Sequence, residues 1–252
     1  MSKSTDYIAS LAKGLRVLEC FGAETPKLSV SDVAEKSGLD RASARRCLLT
    51  LHSEGYTDYD GKFFTPTTRV LRLGTGTLAA LPMPQIVQPW IDQLSEKIGE
   101  SVSVSILDET EIVYVARAAQ RKVMSIGLMP GSRLLAHTTS MGRVLLAALP
   151  EQAACALVEA SDLTPRTPYS QTNPSVIMNE IAKVREQGYA LIDQEVEIGL
   201  RSLAVPIFGS RGEVEAAMNV GVAAVQSSAD QLLTQYLDEL IRVRDGIKRL
   251  LR

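Results

Sequence analysis

The stretch from Leu28 to Thr65 limits the fold of this chain more than any other. Ser29 stands where a helix N-cap belongs, with Asp32 three residues on as a weak form of capping box. Val33 and Ala34 face inward, and Gly38 closes the helix in the left-handed conformation. Asp40 caps a second helix that runs to about Glu54. On it Ala44, Cys47, Leu48 and Leu51 form one apolar stripe. At about 100° per residue, Ala42, Arg46 and Ser53 point away from that stripe, with Ser43, Arg45 and Thr50 on its flanks. Leu49 also lies toward the free face, either for contact there or for packing on a neighbour. Tyr56–Tyr59 and Lys62–Thr65 then flank Asp60-Gly61, a two-residue hairpin signal. Helix, glycine turn, helix and hairpin make a winged helix-turn-helix, whose second helix fits the DNA major groove.

The candidate DNA-binding residues are Arg41, Ala42, Ser43, Arg45, Arg46, Thr50 and Lys62. Arginine grips guanine through two hydrogen bonds, serine suits phosphate or base, and alanine can touch a thymine methyl. Lys62 at the hairpin turn is in position for a phosphate. The plainer reading of these arginines is solubilising charge on a wet helix face. The net charge of −2 does not itself suggest a nucleic-acid partner. Residues 1–74 hold 11 Lys+Arg against 9 Asp+Glu, and the remainder 16 against 20, so the basic excess lies at the N-terminal end.

A chain of 252 residues, 45% hydrophobic and 22% charged, has the composition of a soluble globular protein and the length for two domains. No apolar run reaches the ~18 residues of a membrane helix, and the N-terminal segment is not a signal peptide, so a cytoplasmic protein without a membrane partner is expected. Cys20, Cys47 and Cys155 have no metal spacing, and an odd count without secretion argues against a disulfide framework. His52 and His137 are too far apart to suggest a metal site. No cofactor is expected.

Ile8, Leu11, Leu15 and Leu18 recur at helical spacing, predicting an amphipathic first helix that ends near Phe21-Gly22. Val70 to Leu81 reads as a helix broken by Pro82 and Pro84, and Ile86–Ile98 resumes helical spacing. Beyond Glu100 the pattern is mixed. Strands are predicted at Val102–Leu107, Ile112–Arg117, Val123–Leu128, Tyr189–Asp193, Ser202–Phe208 and Glu215–Val222. Helices are predicted at Met141–Leu149, Glu151–Ala160, from Pro174 to Gly188, and from Ser228 to Leu251. The expected class is α+β, an antiparallel sheet flanked by helices. The expected domains are a winged helix-turn-helix over 1–69, a helical linker over 70–84 and a sensor domain over 85–252.

The whole chain resembles the IclR family of bacterial transcriptional regulators. Leu28, Ser29, Asp32, Val33, Ala34, Gly38 and Leu39 carry the likeness in the head, and Leu71-Arg72-Leu73-Gly74 in the linker. In the body it rests on Ser140 to Ala147, Gly188-Tyr189-Ala190, Glu195, Gly199 to Ser202, and Ala204-Val205-Pro206. The resemblance implies a GAF-like effector domain and an assembly as homodimer or dimer of dimers on operator DNA. Thr139 to Ala147 and Leu191 to Ser202 are most similar to the branch controlling aromatic-acid breakdown, the protocatechuate and β-ketoadipate regulators. Met141, Ile192 and Ser202 depart from the glyoxylate-sensing members.

The resemblance places a ligand between the sheet and residues 137–142. Free N–H groups at a helix start attract anions, so a small organic acid with its carboxylate at Ser140 and Met141 is the expected effector. Thr138, Thr139 and Ser140 add hydroxyls, and His137 and Arg133 could add positive charge. Ser202 and Asn219 face the region by resemblance, with Leu128, Leu134, Met141 and Leu200 as apolar walls. Each has a structural alternative: His137 bonding a backbone carbonyl, Arg133 or Arg201 paired with Glu195 or Glu197, Thr138 and Thr139 capping, Met141 plain core. A hydrolase would have to use His137 with Ser140 or Cys155, yet there is no Gly-x-Ser-x-Gly elbow and no phosphate loop. A metal or redox sensor would need more ligands than Cys155 and His137.

Overall fold

A computed structural model describes residues 6–22, 25–80, 82–120 and 127–250. Met1–Ala80 and Leu81–Arg252 form two separate units.

The first unit contains α1 (Ala9–Glu19), α2 (Val30–Ser37), α3 (Arg41–Ser53), β1 (Thr57–Tyr59), β2 (Phe64–Pro66) and α4 (Leu71–Ala80). At the start of α2 the Ser29 hydroxyl accepts from the Asp32 N–H while the Asp32 carboxylate accepts from the Ser29 N–H, so the capping box is complete. Gly38, at φ 66°, turns the chain out of α2. Asp40 caps α3 by accepting from the Ser43 N–H. Val17, Leu28, Val33, Ala44, Leu48 and Phe64 fill the core between these elements, and Leu49 packs at its edge.

Two local expectations are corrected, the hairpin loop and the start of α5 (Pro82–Ile98). Tyr59 pairs with Phe64, so the hairpin loop has four residues, not two. Asp60 Oδ1 accepts from both the Lys62 and Phe63 N–H groups, which pulls the turn into this wider form. The expected first helix forms as α1, with Ile8, Leu11 and Leu15 62%, 59% and 49% exposed and Val17 buried. Finally, α5 (Pro82–Ile98) begins at Pro82 rather than after Pro84. Both prolines fall in its first turn, where their missing N–H groups would have had no helical partner.

The second unit continues with β3 (Ser101–Asp108), β4 (Glu111–Ala118), β5 (Arg133–Leu135), α6 (Ser140–Ala147), α7 (Glu151–Ala160), α8 (Pro174–Gln187), β6 (Ala190–Asp193), β7 (Leu200–Phe208), β8 (Val214–Ala223) and α9 (Ala229–Lys248). Six antiparallel strands run in the order β5-β4-β3-β8-β7-β6. Of the strand expected at Val123–Leu128, residues 123–126 lie outside the described residues, and Gly127 and Leu128 belong to no element. The edge strand β5 was not anticipated, because three residues are too few for an alternation to register. Leu251, the expected end of the last helix, also lies outside the described residues.

The sheet has two unlike faces. One is bulky: Val102, Val104, Leu203, Val205, Ile207, Met218, Val220 and Val222 pack with Val87, Ile91 and Leu94 of α5 and Leu232, Leu240 and Ile247 of α9. The other meets Met141, Val144 and Leu145 of α6, with Val158, Ile177, Ile181 and Val184 behind them. Its central positions are small: Ser103, Ser105, Ala204, Ala217 and Gly221. Small residues there leave room beneath the start of α6.

The approach of α6 to the preceding turn depends on a glycine. A Cβ at position 142 would fall on the backbone of Ala136. Gly142→Ala should therefore destabilise the second unit by about 1–3 kcal/mol despite alanine's better helix propensity. Gly14→Ala on α1, where nothing lies within 4 Å, should instead stabilise by about 0.5–1 kcal/mol. Urea unfolding followed by circular dichroism reads both signs.

Candidate nucleic-acid interface and ligand cavity

On α3, Arg41, Ala42, Arg45, Arg46 and Thr50 are exposed and Ser43 is half-buried, while Ala44 and Leu48 anchor the opposite face. Among the described residues, none of Arg41, Arg45 and Arg46 has an ion-pair partner. Three guanidinium groups thus stand free for an external anion. Three lysines extend this surface. Lys13 Nζ on α1 lies 3.4 Å from the Ser43 hydroxyl. Lys27 and Lys62 both sit over the Phe63 ring, 5.1 and 4.9 Å from its centroid, so two ammonium groups meet at the wing. Lys13 and Lys27 carried no signal in the local pattern, because only tertiary packing brings them to α3 and the hairpin.

Between α1 and α3 runs an open apolar groove, with Leu11, Leu15, Leu18, Leu51, Tyr56 and Leu73 among its walls and Ser43, Arg46 and Thr50 at its rim.

In the second unit, a cavity lies between the small-residue face of the sheet and the start of α6. Its walls include Leu128, Leu134, Thr139, Ser140, Leu200, Ser202 and Asn219, all anticipated from the sequence. They also include Ser101, Ser103, Tyr114, Arg117, Val196 and Gly221, which were not. Cross-strand register explains the grouping. Arg117 is opposite Ser103, which is opposite Asn219; Ser101 is opposite Gly221, which is opposite Ser202. Arg117 reaches this face through a bulge. Val104 pairs with Ala116 and Ser105 with Tyr114, so Val115 has no opposite residue. Val115 and Ala116 both turn to the bulky face, and the alternation resumes one step out of phase, with Arg117 on the same side as Tyr114. The space open to a water-sized sphere is about 30 Å³, room for about two waters.

Arg117 donates from Nη1 to the Ser103 hydroxyl at 2.8 Å. Its buried Nε has no partner among the described residues, and burial lowers its pKa. The Tyr114 phenol is pushed up to about 12, mainly by burial, and stays a neutral donor. Ser140 is fully buried, and its hydroxyl too has no partner among the described residues. Thr139 caps α6, its hydroxyl accepting from the Gly142 N–H.

Four expected lining residues sit elsewhere. Arg133 is on the surface, paired with Asp108 at 2.8 Å and Glu111 at 2.7 Å. Thr138 donates to the Leu135 carbonyl. Met141 is core, its sulfur accepting from the Ser105 hydroxyl. His137 is buried outside the cavity, and its Nδ1 has no partner among the described residues. Arg201 pairs with Asp193, not with Glu195 or Glu197.

Glu195 has a different cation. Arg143 Nη2 donates to both of its carboxylate oxygens, at 2.8 and 2.9 Å, and Arg143 Nε donates to the His137 carbonyl. The carboxylate also accepts from the Gln171 N–H. This buried clasp ties α6, which carries Ser140, to the β6–β7 connection, which carries Val196.

The catalytic alternatives find no geometry here. Ser140 Oγ and His137 Nδ1 do not bond each other. The Cys155 thiol is pushed up by burial and by Glu159 and Glu151, opposite to an activated nucleophile. Among the described residues no cluster of His, Cys, Asp and Glu could hold a metal, and no helix is long and apolar enough to cross a membrane.

Residues 10–61 match the model of the IclR helix-turn-helix domain, and residues 75–248 match that of the bacterial transcriptional regulator IclR C-terminal domain. The chain is 37% identical over 240 residues to the p-hydroxybenzoate hydroxylase transcriptional activator of Acinetobacter baylyi, covering 93% of this chain and 87% of that protein. A crystal structure of a transcriptional regulator from Rhodococcus sp. RHA1 superposes with a TM-score of 0.78 at 42% identity, covering 97% and 98% of the two chains. The inducer-binding domain of Acinetobacter PobR, a double mutant in complex with 3-hydroxybenzoic acid, aligns with a TM-score of 0.63 at 30% identity, covering 66% and 98%.

His137 gives the second unit a pH dependence. Burial first, and the Arg143 cation second, lower its pKa from 6.5 to about 4. The fold favours the neutral ring, so this stability is complete above pH 6.5 and is lost as pH falls toward 4. Lowering the pH from 7.5 to 5 should remove about 1–2 kcal/mol through this residue. His137→Leu, which cannot take the proton, should flatten that part of the dependence in urea titrations at the two pH values.

Proposed function

The chain belongs to the IclR family of bacterial transcriptional regulators, helix-turn-helix proteins with an effector-binding domain, and we propose that it is a cytoplasmic homodimer or dimer of dimers whose operator affinity is set by a small organic acid. The domain division is 1–69 for DNA binding, 70–84 for the connection and 85–252 for the effector. The observation that carries the DNA assignment is the unpaired set Arg41, Arg45 and Arg46 on the exposed face of α3. Ala42, Ser43 and Thr50 share that face, and Lys62 serves the backbone from the wing. The exposed apolar groove along α1 supports self-association, since contiguous apolar patches of this kind mark protein interfaces. A symmetric dimer would read half-sites separated by about 34 Å or a multiple.

The cavity under α6 is the effector site in this reading. A guanidinium, several hydroxyls and leucine walls suit an acid with an apolar frame. The relatives named for p-hydroxybenzoate hydroxylase control and solved with 3-hydroxybenzoic acid favour an aromatic frame. The effector shifts DNA affinity by binding one conformation better than the other, a coupling of about 1–3 kcal/mol in typical cases.

Two measurements test this function. Arg46→Ala should weaken operator binding by about 1–3 kcal/mol more than it weakens binding to random duplex, as for loss of a base contact. Equal losses in gel-shift titrations would remove Arg46 from base reading. Val196→Trp, which blocks the cavity from its wall, should abolish the response to aromatic acids, so that operator affinity is the same with and without acid. A retained response would put the effector elsewhere.

A further inference from the structure

Resting on the reading of this cavity as the effector site, we propose that Arg117 and Ser140 read opposite ends of a hydroxylated monocarboxylic acid, Arg117 taking the carboxylate and Ser140 the neutral hydroxyl. The start of α6 brings hydroxyls but no cationic side chain to the described lining, and its Gly142 N–H is already held by the Thr139 hydroxyl. Arg117 has the stronger claim. Its Nη1 is positioned by Ser103, and its buried Nε has no partner among the described residues. A planar guanidinium with an unused edge matches the two oxygens of a carboxylate. Desolvation strengthens that attraction, because the site admits so little water.

The other end offers only neutral groups. Ser140 Oγ is fully buried without a partner among the described residues, so a ligand hydroxyl that bonds it removes a standing penalty. Tyr114 stands one cross-strand row from Arg117 on the same face. Adjacent rows on one face are about 6–7 Å apart, close to the span of a benzene ring with a substituent at each end. A second ionised group at the hydroxyl end would meet Tyr114 and Ser140 and no cation among the described lining residues.

Calorimetric titration of the full chain with benzoate, 3- and 4-hydroxybenzoate, 4-hydroxybenzamide and adipate tests this. The wild type should favour a hydroxybenzoate over benzoate and adipate. Arg117→Gln should weaken the best hydroxybenzoate about 10- to 100-fold and leave the neutral amide nearly unchanged, with Arg117→Lys in between. Ser140→Ala should lower the hydroxybenzoate toward the affinity of benzoate and leave benzoate itself unchanged. Equal losses of acid and amide in both Arg117 variants, equal losses of benzoate and hydroxybenzoate on Ser140→Ala, or adipate as the tightest ligand would overturn the end assignment alone. Failure of every acid to bind the wild type would overturn the organic-acid reading and this inference with it.

Discussion

The geometry of the second unit depends on one buried ion pair. Arg143 and Glu195 are 5% and 11% exposed at their side chains, and each has further partners: the His137 carbonyl on one side, the Gln171 N–H on the other. Loss of one partner of such a pair leaves a charge uncompensated in the interior, which typically costs about 3–5 kcal/mol. The pair therefore holds α6 and the β6–β7 connection together as one bracket. Ser140 stands on one arm and Val196 and Leu200 on the other, so the width of the cavity is set by a contact that the cavity does not contain. The same guanidinium, lying beside His137, helps to keep that ring neutral.

Much of this architecture was legible because it is local. Asn173, Gly188 and Ser228 bound their helices as their cap chemistry dictates. The strands on either side of Asp108-Glu109-Thr110 were legible as a hairpin from that turn and the apolar runs flanking it. The cavity was half legible: Ser140 and the leucines were found, but its cation was misassigned. Arg133 sits beside the expected site in sequence, yet Asp108 and Glu111 are its neighbours on the sheet edge. Arg117 was missed because strict period-two alternation puts it opposite Tyr114. A bulge at Val115 reverses that parity, and no residue type in this stretch announces it. Ser101, Ser103 and Ser105 did give a signal. Serines alternating with Val102 and Val104 describe a strand with one bulky and one small face, and a small face under a helix is where space can form.

The first unit shows a different limit. Leu11 and Leu15 recur with a clean helical period, and the period correctly predicted a helix with an apolar face. Periodicity identifies the apolar face but not what covers it. Within this chain α1 is fastened by Val17, and the leucine stripe becomes one wall of an open groove shared with Leu51 and Tyr56. Apolar residues that fill the core and apolar residues that line an open groove have the same period in sequence, and only the packing separates them.

The narrowness of the cavity bears on how an effector could act. In the reading proposed above, an aromatic occupant needs more than the space of about 30 Å³ open to a water-sized sphere, so it would part the wall made by α6 from the wall made by β7 and the segment before it. Those walls are joined by the Arg143–Glu195 bracket, which resists separation. A ligand can shift an equilibrium only by the difference between its affinities for the two states. The affinity of the open state therefore has to exceed the cost of straining the bracket, and the remainder is what can reach operator binding. A stiffer bracket would weaken the effector without sharpening the response; a looser one would let the walls part unliganded and erase the difference. The close ionic geometry, with the carboxylate and guanidinium contacts at 2.8–3.1 Å, holds the two walls at one defined separation, and in the proposed reading that separation is what a ligand has to change.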